Sequence, residues 1–320
     1  MSSKAILAIT PSGSICFHGM IYISRTIDSL MSRLKVVAVT DEVVLVLGET
    51  GAGKELVARA VHQESKRRAR PFVAFNCSAL SRELIESRLF GYRKGAFTGA
   101  HADHPGIIRA AAGGSVFLDE IGDLTLEAQG ALLRFLQSGE IQPVGAALPV
   151  TANVRVIAAT NRDLRAEVER DRFRKDLYYR LNVATLFLPP LWERPDDVKE
   201  LARHFACVYS KQYGMPEPEF SPEEMAGLVD YKWPGNVREL ENYIKRRILF
   251  GEMEIRAIGL VRREDANVVT WRSLSDSEKL AGLNEALEST CGNVTLAARH
   301  LGISRRTAQR FKKRQSPDDA

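Results

Sequence analysis

The stretch Gly48-Glu49-Thr50-Gly51-Ala52-Gly53-Lys54-Glu55 follows an apolar run and opens a helical pattern. The apolar run, residues 43–47, is typical of a β-strand, and residues 56–63 are typical of a helix. Glycines in such a turn let backbone N–H groups surround phosphate oxygens, and Lys54 would reach the β- and γ-phosphates of a nucleotide. A Ser or Thr that binds Mg²⁺ usually follows the lysine, whereas Glu55 stands here. The pattern predicts a phosphate-binding loop, and a glycine-rich turn without ligand is the alternative.

Polar side chains end two further apolar runs. Residues 114–118 lead into Asp119 and Glu120, about 65 residues after the lysine, and residues 158–160 lead into Asn161. At the carboxyl end of a parallel strand Asp119 can hold Mg²⁺ through water, and Glu120 can polarise an attacking water. Asn161 could sense the γ-phosphate from the same sheet edge. The acids could instead cap a helix and Asn161 could be a plain turn residue, but their place after the phosphate loop favours an ATP and Mg²⁺ site.

Short β-rich runs alternate with helical patterns along much of the chain. The runs are residues 43–47, 72–75, 116–118, 154–158 and 185–188. This alternation is typical of βαβ units, so we predict an α/β fold whose mainly parallel sheet is covered by helices on both faces. The strand patterns stop near residue 196. Helical patterns at residues 197–209, 222–230 and 236–250 then predict a small all-helical subdomain.

The composition limits the class of protein. With 45% hydrophobic and 27% charged residues among 320, the chain is an ordinary globular one, long enough for two or three compact units. No apolar run approaches the ~18 residues of a membrane span, and residues 5–9 are too few for a secretory signal. The four cysteines are scattered, which argues against a zinc site or a disulfide framework. We therefore expect a cytoplasmic protein with no membrane partner.

Positive charge is concentrated near the C-terminus, where residues 271–315 hold nine Lys and Arg against four Asp and Glu. Within this segment, residues 292–311 have the pattern of two short helices around a glycine turn, with Asn293 and Ser304 as helix caps. Helical hairpins that bind no DNA share this spacing, but the basic side chains favour a DNA-binding helix-turn-helix. The candidate DNA contacts are Arg305, Arg306 and Gln309 in the major groove, Arg310 beside them, and Lys312, Lys313 and Arg314 on phosphates.

The hexapeptide Gly95-Ala96-Phe97-Thr98-Gly99-Ala100 reads GAFTGA. Its flanking glycines permit a tight, mobile loop, while Phe97 and Thr98 give the tip an apolar face and a hydroxyl. An exposed aromatic tip would indicate a protein partner, and a buried one would be a plain turn residue. Because this hexapeptide accompanies a phosphate loop, the chain resembles the AAA+ activators of sigma-54 RNA polymerase, the NtrC-type bacterial enhancer-binding proteins.

The resemblance covers residues 17–250 and resumes in the C-terminal unit, which is similar to Fis-type domains. It implies that the GAFTGA loop contacts sigma-54 and that the protein binds ATP, Mg²⁺ and double-stranded enhancer DNA. The implied domains are an extension at 1–16, an AAA+ α/β ATPase subdomain at 17–190, a helical lid at 191–250, a linker at 251–275, a Fis-type helix-turn-helix domain at 276–314 and a tail at 315–320.

The resemblance also assigns roles to single residues. Glutamate is common after the phosphate-loop lysine in this family, so Glu55 is compatible with nucleotide binding. Asn76 matches the switch residue that holds the catalytic glutamate until the γ-phosphate is sensed. Arg174 and Arg180 match the arginine fingers, which act on a neighbouring subunit's nucleotide, and Arg238 matches the second sensor on the lid. The Fis-type unit implies a dimer, through a helix at about residues 278–289. The fingers imply a ring, by family analogy a hexamer, of this chain alone or with a related activator.

The sequence departs from the family pattern around the GAFTGA loop. Tyr92-Arg93 stands where the family usually has His-Glu, Arg109 stands at a usually acidic position, Ile107 replaces a frequent Arg, and Pro143 does the same in a second loop. Charge is exchanged as well as lost. The contacts that transmit the γ-phosphate state to the loop are therefore either rebuilt or weakened.

Together these features predict a sigma-54-dependent activator that binds an enhancer, forms a ring and hydrolyses ATP to remodel the closed polymerase complex. Two alternatives are a DNA-binding regulator whose ATP site controls assembly only, and an AAA+ remodeller unrelated to transcription. Only about 16 residues precede the resemblance, so we expect no receiver or other sensory domain. Control would come from expression level, a repressing partner or a co-activator in the ring.

Overall fold

The computed structural model describes residues 7–9, 15–79 and 82–251. The chain divides into two units, Met1–Ile255 and Arg256–Ala320, and the described residues belong to the first. The predicted helix-turn-helix at 276–314, with its candidate DNA contacts, lies outside the described residues, as do the tail and all of the linker after Gly251.

The elements alternate as the sequence predicts. The strands are β1 (Leu7–Ile9), β2 (Ile15–Phe17), β3 (Met20–Tyr22), β4 (Val44–Leu47), β5 (Phe72–Asn76), β6 (Ser115–Asp119), β7 (Glu140–Ile141), β8 (Val150–Thr151), β9 (Arg155–Thr160) and β10 (Ala184–Phe187). The helices are α1 (Arg25–Ala38), α2 (Lys54–Gln63), α3 (Arg82–Phe90), α4 (Ile107–Ala110), α5 (Leu126–Ser138), α6 (Leu164–Glu169), α7 (Lys175–Leu181), α8 (Pro195–Tyr213), α9 (Pro222–Asp230) and α10 (Asn236–Phe250).

The central sheet has five parallel strands in the order β10-β4-β9-β6-β5. Its strands are the five that the sequence predicts, shifted by a residue or two at their ends. Two apolar clusters cover its faces: one includes Leu132 of α5 and Leu177 of α7, and the other includes Leu34 of α1 and Val57 of α2. The prediction of an α/β fold with a doubly covered parallel sheet is confirmed.

A small antiparallel sheet, β1-β2-β3, precedes the central one, and the sequence does not predict it. It begins inside the segment assigned as an extension, because β2 starts at Ile15 and pairs with β1. Its strands are three residues long, too short for a periodic pattern to be recognised.

The last three helices form the predicted helical subdomain, here called the lid. Helices α9 and α10 have the predicted bounds, whereas α8 is longer than the predicted 197–209. It begins at Pro195, which suits the first turn of a helix, and ends before Gly214, which has positive φ. The fully buried Trp233 anchors the lid, since its indole N–H donates to the Leu228 carbonyl at 2.8 Å. No helix within the described ranges is both long and apolar enough to cross a membrane.

Candidate active site

The phosphate loop joins β4 to α2 and packs closely against the lid. Gly51 has φ +77°, and a Cβ atom there would lie 2.3 Å from the carbonyl oxygen of Gly235. Only glycine therefore fits this position, because any side chain would separate loop and lid. The backbone N–H of Arg238 donates to the Gly51 carbonyl at 3.3 Å. The backbone of the predicted second sensor therefore contacts the phosphate loop directly. The Arg238 side chain is exposed.

Lys54 occupies the first turn of α2 and is only 7% exposed. Its ammonium group donates to the Gly48 carbonyl at 3.0 Å and to Glu120 Oε1 at 3.2 Å. The backbone N–H groups of Gly51, Gly53 and Lys54 have no hydrogen-bond acceptor within the part of the chain that the structure describes. Unpaired N–H groups beside a buried cation at a helix N-terminus can bind the phosphates of a nucleoside triphosphate, so these residues fit ATP.

The acids lie where β6 ends. Asp119 is half-buried, and burial, followed by the charge of Glu120, raises the pKa of its carboxyl. Glu120 adopts the left-handed conformation, with φ +51°, which is strained for a residue with a side chain. Its Oε2 accepts the N–H of Asn161 at 3.1 Å while Oε1 accepts from Lys54. No group of three or more metal-ligating side chains exists among the described residues, so any Mg²⁺ here would depend on phosphate and water for most of its ligands.

Asn161 follows β9 and completes the cluster. Its amide donates to the Thr50 hydroxyl at 2.8 Å. Thr50, Lys54, Glu120 and Asn161, which the sequence places far apart, thus meet at the carboxyl ends of three neighbouring strands. Asn161 is more than a turn residue, because it joins Thr50 of the phosphate loop to Glu120.

Asn76 ends β5 in register with Asp119 of β6. Its side-chain oxygen accepts the N–H and the hydroxyl of Ser78, at 2.8 and 2.7 Å. The Glu120 carboxylate is instead held by the lysine and the backbone of Asn161. The structure therefore places the switch candidate beside the acids with its oxygen bonded inside its own turn.

The two predicted arginine fingers lie on α7 and at its start. Arg174 is exposed and donates to both carboxylate oxygens of Asp176, at 3.1 and 2.8 Å. Arg180 is exposed and donates to the Leu136 carbonyl at 3.3 and 2.9 Å. These contacts lie within their own α/β subdomain and not on its phosphate loop, so the fingers do not complete the site of the same chain.

Two residues that the sequence does not single out join the lid to the phosphate loop. Asn236 is fully buried with φ +54°, and its amide donates to Glu49 Oε2 at 2.9 Å and to the Thr50 carbonyl at 3.2 Å. Its oxygen accepts the N–H of Leu191 at 2.7 Å. Arg194, also buried, donates to the Ala52 carbonyl at 3.1 Å. Asn236 can be read from sequence only as a helix start, so its role as a link was missed.

The GAFTGA segment is a tight exposed turn between α3 and α4. The N–H of Gly95 donates to the Ala100 carbonyl at 2.9 Å, and that of Ala100 donates to the Phe97 carbonyl at 3.0 Å. Both flanking glycines have positive φ. Phe97 is 39% exposed, so the alternative of a buried turn aromatic is excluded. The second loop supports this turn, since a Cβ on Gly145 would lie 2.9 Å from the Cβ of Ala96.

The parallel sheet, the phosphate loop, the acid pair on a neighbouring strand and the helical lid define an ATPase of the AAA+ class. The family comparisons agree and are more specific. Residues 20–187 match the family described as "Sigma-54 interaction domain", residues 192–265 match "AAA+ ATPase lid domain", and residues 282–310 match "Bacterial regulatory protein, Fis family". The chain belongs to the sigma-54-dependent transcriptional activators, and its AAA+ domain is an ATP-binding domain.

Individual relatives span most of the chain. The "Transcriptional regulatory protein ZraR" of Klebsiella oxytoca is 45% identical over 318 residues, which are 95% of this chain and 70% of that protein. The "Sigma54-dependent transcriptional activator SfnR" of Pseudomonas putida is 48% identical over 256 residues, 80% of this chain and 68% of that one. The crystal structure of NtrX from Brucella abortus in complex with ADP has a TM-score of 0.71 at 29% identity and covers 92% of this chain and 68% of its own.

Proposed function

We propose that this protein couples ATP hydrolysis to the remodelling of the closed sigma-54 polymerase complex, from a ring bound at an enhancer. The proposal rests on the position of the exposed GAFTGA turn between two strands of the central sheet. The segment from α3 to α4 connects β5, which ends in Asn76, to β6, which ends in Asp119 and leads into Glu120. A change at these strand ends therefore acts directly on the two helices that carry the turn.

The site residues have distinct roles in this proposal. Lys54 and the loop N–H groups would bind the phosphates, and Asp119 would help to hold Mg²⁺. Glu120 orients the attacking water and must first be released from Lys54, whose ammonium turns to the phosphates. The bound ATP–Mg²⁺ supplies the phosphoryl group whose transfer to water drives the cycle. Asn161 and Asn76 report the γ-phosphate to the backbone of β9 and β5.

Arg174 and Arg180 would act on the nucleotide of a neighbouring subunit, because each is exposed and bonded away from its own phosphate loop. A supplied arginine neutralises charge that develops on the transferred group and contributes roughly 10³ to 10⁵ in rate. The proposal therefore requires a ring, a hexamer of this chain or a mixed ring with a related activator. Arg238, in the first turn of α10, would bring the lid to the phosphates.

The C-terminal unit would place the ring on DNA. Its family match and its excess of basic residues support enhancer binding. In the proposal, Arg305, Arg306, Gln309 and Arg310 face the major groove, and Lys312, Lys313 and Arg314 contact phosphates. Phe97 and Thr98 would provide the apolar and hydroxyl contacts to sigma-54.

Open-complex formation with sigma-54 polymerase on an enhancer-bearing promoter tests the proposal. We expect open complexes with ATP and none with a non-hydrolysable analogue. Glu120→Gln should reduce hydrolysis about 10²-fold or more and abolish opening, since general bases contribute about 10² to 10⁴. Glu127→Gln, an exposed acid on α5, is the matched control. A protein that binds DNA, assembles with ATP and never opens a promoter would be a regulator whose ATP site controls assembly only.

A further inference from the structure

The two ends of the GAFTGA turn are joined by a backbone bridge between Tyr92 and His104, here called the neck. The N–H of Tyr92 donates to the His104 carbonyl at 3.0 Å, and the N–H of His104 donates back to the Tyr92 carbonyl at 2.9 Å. Next to this bridge the two backbone segments lie in close contact at Gly91 and Gly106. A Cβ atom on Gly91 would lie 2.5 Å from the His104 carbonyl oxygen, and one on Gly106 would lie 2.5 Å from the Gly91 nitrogen. The neck therefore holds the two ends of the turn, residues 92 and 104, together.

Tyr92 also holds the tip of the turn through its side chain. The Phe97 ring meets the Tyr92 ring edge to face, with centroids 5.0 Å apart at 61°. The Tyr92 ring also stacks on the His104 ring, with centroids 5.3 Å apart at 9°. His104 is oriented in turn, since its Nδ1 accepts the N–H of Gly106 at 3.0 Å. Tyr92 is thus backed by a fixed ring and offers its free side to Phe97.

A charged pair closes the same segment. The Arg93 guanidinium donates to Asp103, whose other carboxylate oxygen accepts the N–H of Lys94 at 2.8 Å. Both side chains are more than half exposed, so the pair is screened by solvent and easily exchanged. The aromatic contact is then the main specific restraint on where the Phe97 ring lies.

We infer that Tyr92 is a positioning residue that docks Phe97 against the neck and releases it when sigma-54 is engaged. The inference rests on the proposed function. The face of Phe97 against Tyr92 cannot contact a partner at the same time, so docking and engagement compete. An edge-to-face pair shifts the equilibrium between docked and released Phe97 by about two- to tenfold. This is enough to bias the position of the turn and weak enough to be overcome by nucleotide.

Two measurements on the full-length protein test the inference with Tyr92→Ala, and with Tyr92→Phe as the control that keeps the ring. Trypsin cleavage after the exposed Lys94 reports the freedom of the turn without any partner. Binding of purified sigma-54 in ADP and in a non-hydrolysable ATP analogue reports engagement. Tyr92→Leu, which keeps apolar volume without a ring, covers the case in which the alanine variant unfolds.

In Tyr92→Ala and Tyr92→Leu, which lack the aromatic ring, we expect cleavage after Lys94 to be about two- to tenfold faster. In these variants sigma-54 binding in ADP should rise towards its level in the ATP analogue. Tyr92→Phe should behave as the parent protein in both assays. Equal cleavage rates in Tyr92→Ala, Tyr92→Leu and Tyr92→Phe would overturn the inference. If cleavage changes as expected while the parent protein never binds sigma-54, the docking stands and the proposed function fails.

Discussion

The nucleotide cradle, meaning Thr50, Lys54, Glu120, Asn161 and Asn236, and the GAFTGA finger, meaning residues 92–104, differ in how their side chains are restrained. In the cradle, Lys54, Glu120 and Asn236 each have at least two hydrogen-bond partners, and these contacts join sheet, phosphate loop and lid. In the finger, Phe97 and Arg93 are exposed, and the partners of their side chains, Tyr92 and Asp103, belong to the same segment. Chemistry requires fixed geometry, whereas a moving element requires weak, local restraints.

The departures from the family pattern lie around the finger, and none of them lies in the cradle. Arg93 pairs with the carboxylate of Asp103, and both side chains are exposed. Arg109 is exposed at the end of α4 and forms no ion pair with any residue that the structure describes. Both arginines are exposed, whereas Lys54 and Glu120 of the cradle each have at least two hydrogen-bond partners.

The largest effect should come from the arginine fingers of the proposed ring. We predict that Arg174→Ala lowers ATP turnover about 10³-fold without weakening nucleotide binding, because in the proposed ring the arginine would act on a neighbouring subunit's nucleotide. Mixing Arg174→Ala with Lys54→Ala protein should restore part of the activity, since some interfaces then combine an intact finger with an intact cradle. Arg172→Ala, whose side chain pairs with Glu167, is the exposed control. If mixing never restores turnover, the arginine does not act between subunits.

A smaller effect tests whether the cradle depends on the lid. Asn236→Asp should lower the free energy of unfolding by about 1 to 3 kcal/mol, because its buried carboxylate would face Glu49 and lose the amide donors. Nucleotide affinity should fall in parallel. Adding Glu49→Gln supplies a new donor and should recover part of both losses in a double-mutant cycle. Additive losses, measured by denaturant unfolding and nucleotide titration, would show that the two residues do not interact.

In the finger, a charge reversal should have a modest effect. Arg93→Glu places two carboxylates together, so polymerase activation should fall roughly a fewfold at most while ATPase activity remains, because exposed pairs contribute little. Arg93→Glu with Asp103→Arg restores opposite charges and should recover activation. Equal defects in the single and double variants would mean that Arg93 acts on the partner and not on Asp103.

The smallest effect concerns a buried histidine beneath the cradle. His62 contacts the Ser115 hydroxyl at 3.0 Å, and burial lowers the pKa of its imidazole below the ordinary 6.5. As pH falls through the ordinary value, the unfolded state takes up the proton first, so stability decreases with acidity. His62→Gln should flatten the dependence of unfolding free energy between about pH 7 and 5. Exposed His101→Gln is the control, and an unchanged slope in His62→Gln would contradict this account.

Much of the fold could be read from local patterns. The five strands of the central sheet and the bounds of α9 and α10 follow from apolar periodicity and turn residues, which act over a few neighbours. The short β1-β2-β3 sheet could not be read in this way, because its three-residue strands depend on pairing with each other. The motif residues were also visible in the sequence, but not which of them touch.

The sequence by itself determined the class of site, because phosphate binding needs glycines, a lysine and acids at spacings that a strand-to-helix turn imposes. It also determined that the tip of the finger is aromatic. Only the tertiary structure decided that Asn236 ties the lid to Glu49, that buried Arg155 caps the carbonyls of α1, and that Tyr92 meets Phe97. These contacts join elements that lie far apart in the chain or meet only through a fold-dependent turn, so no local pattern encodes them.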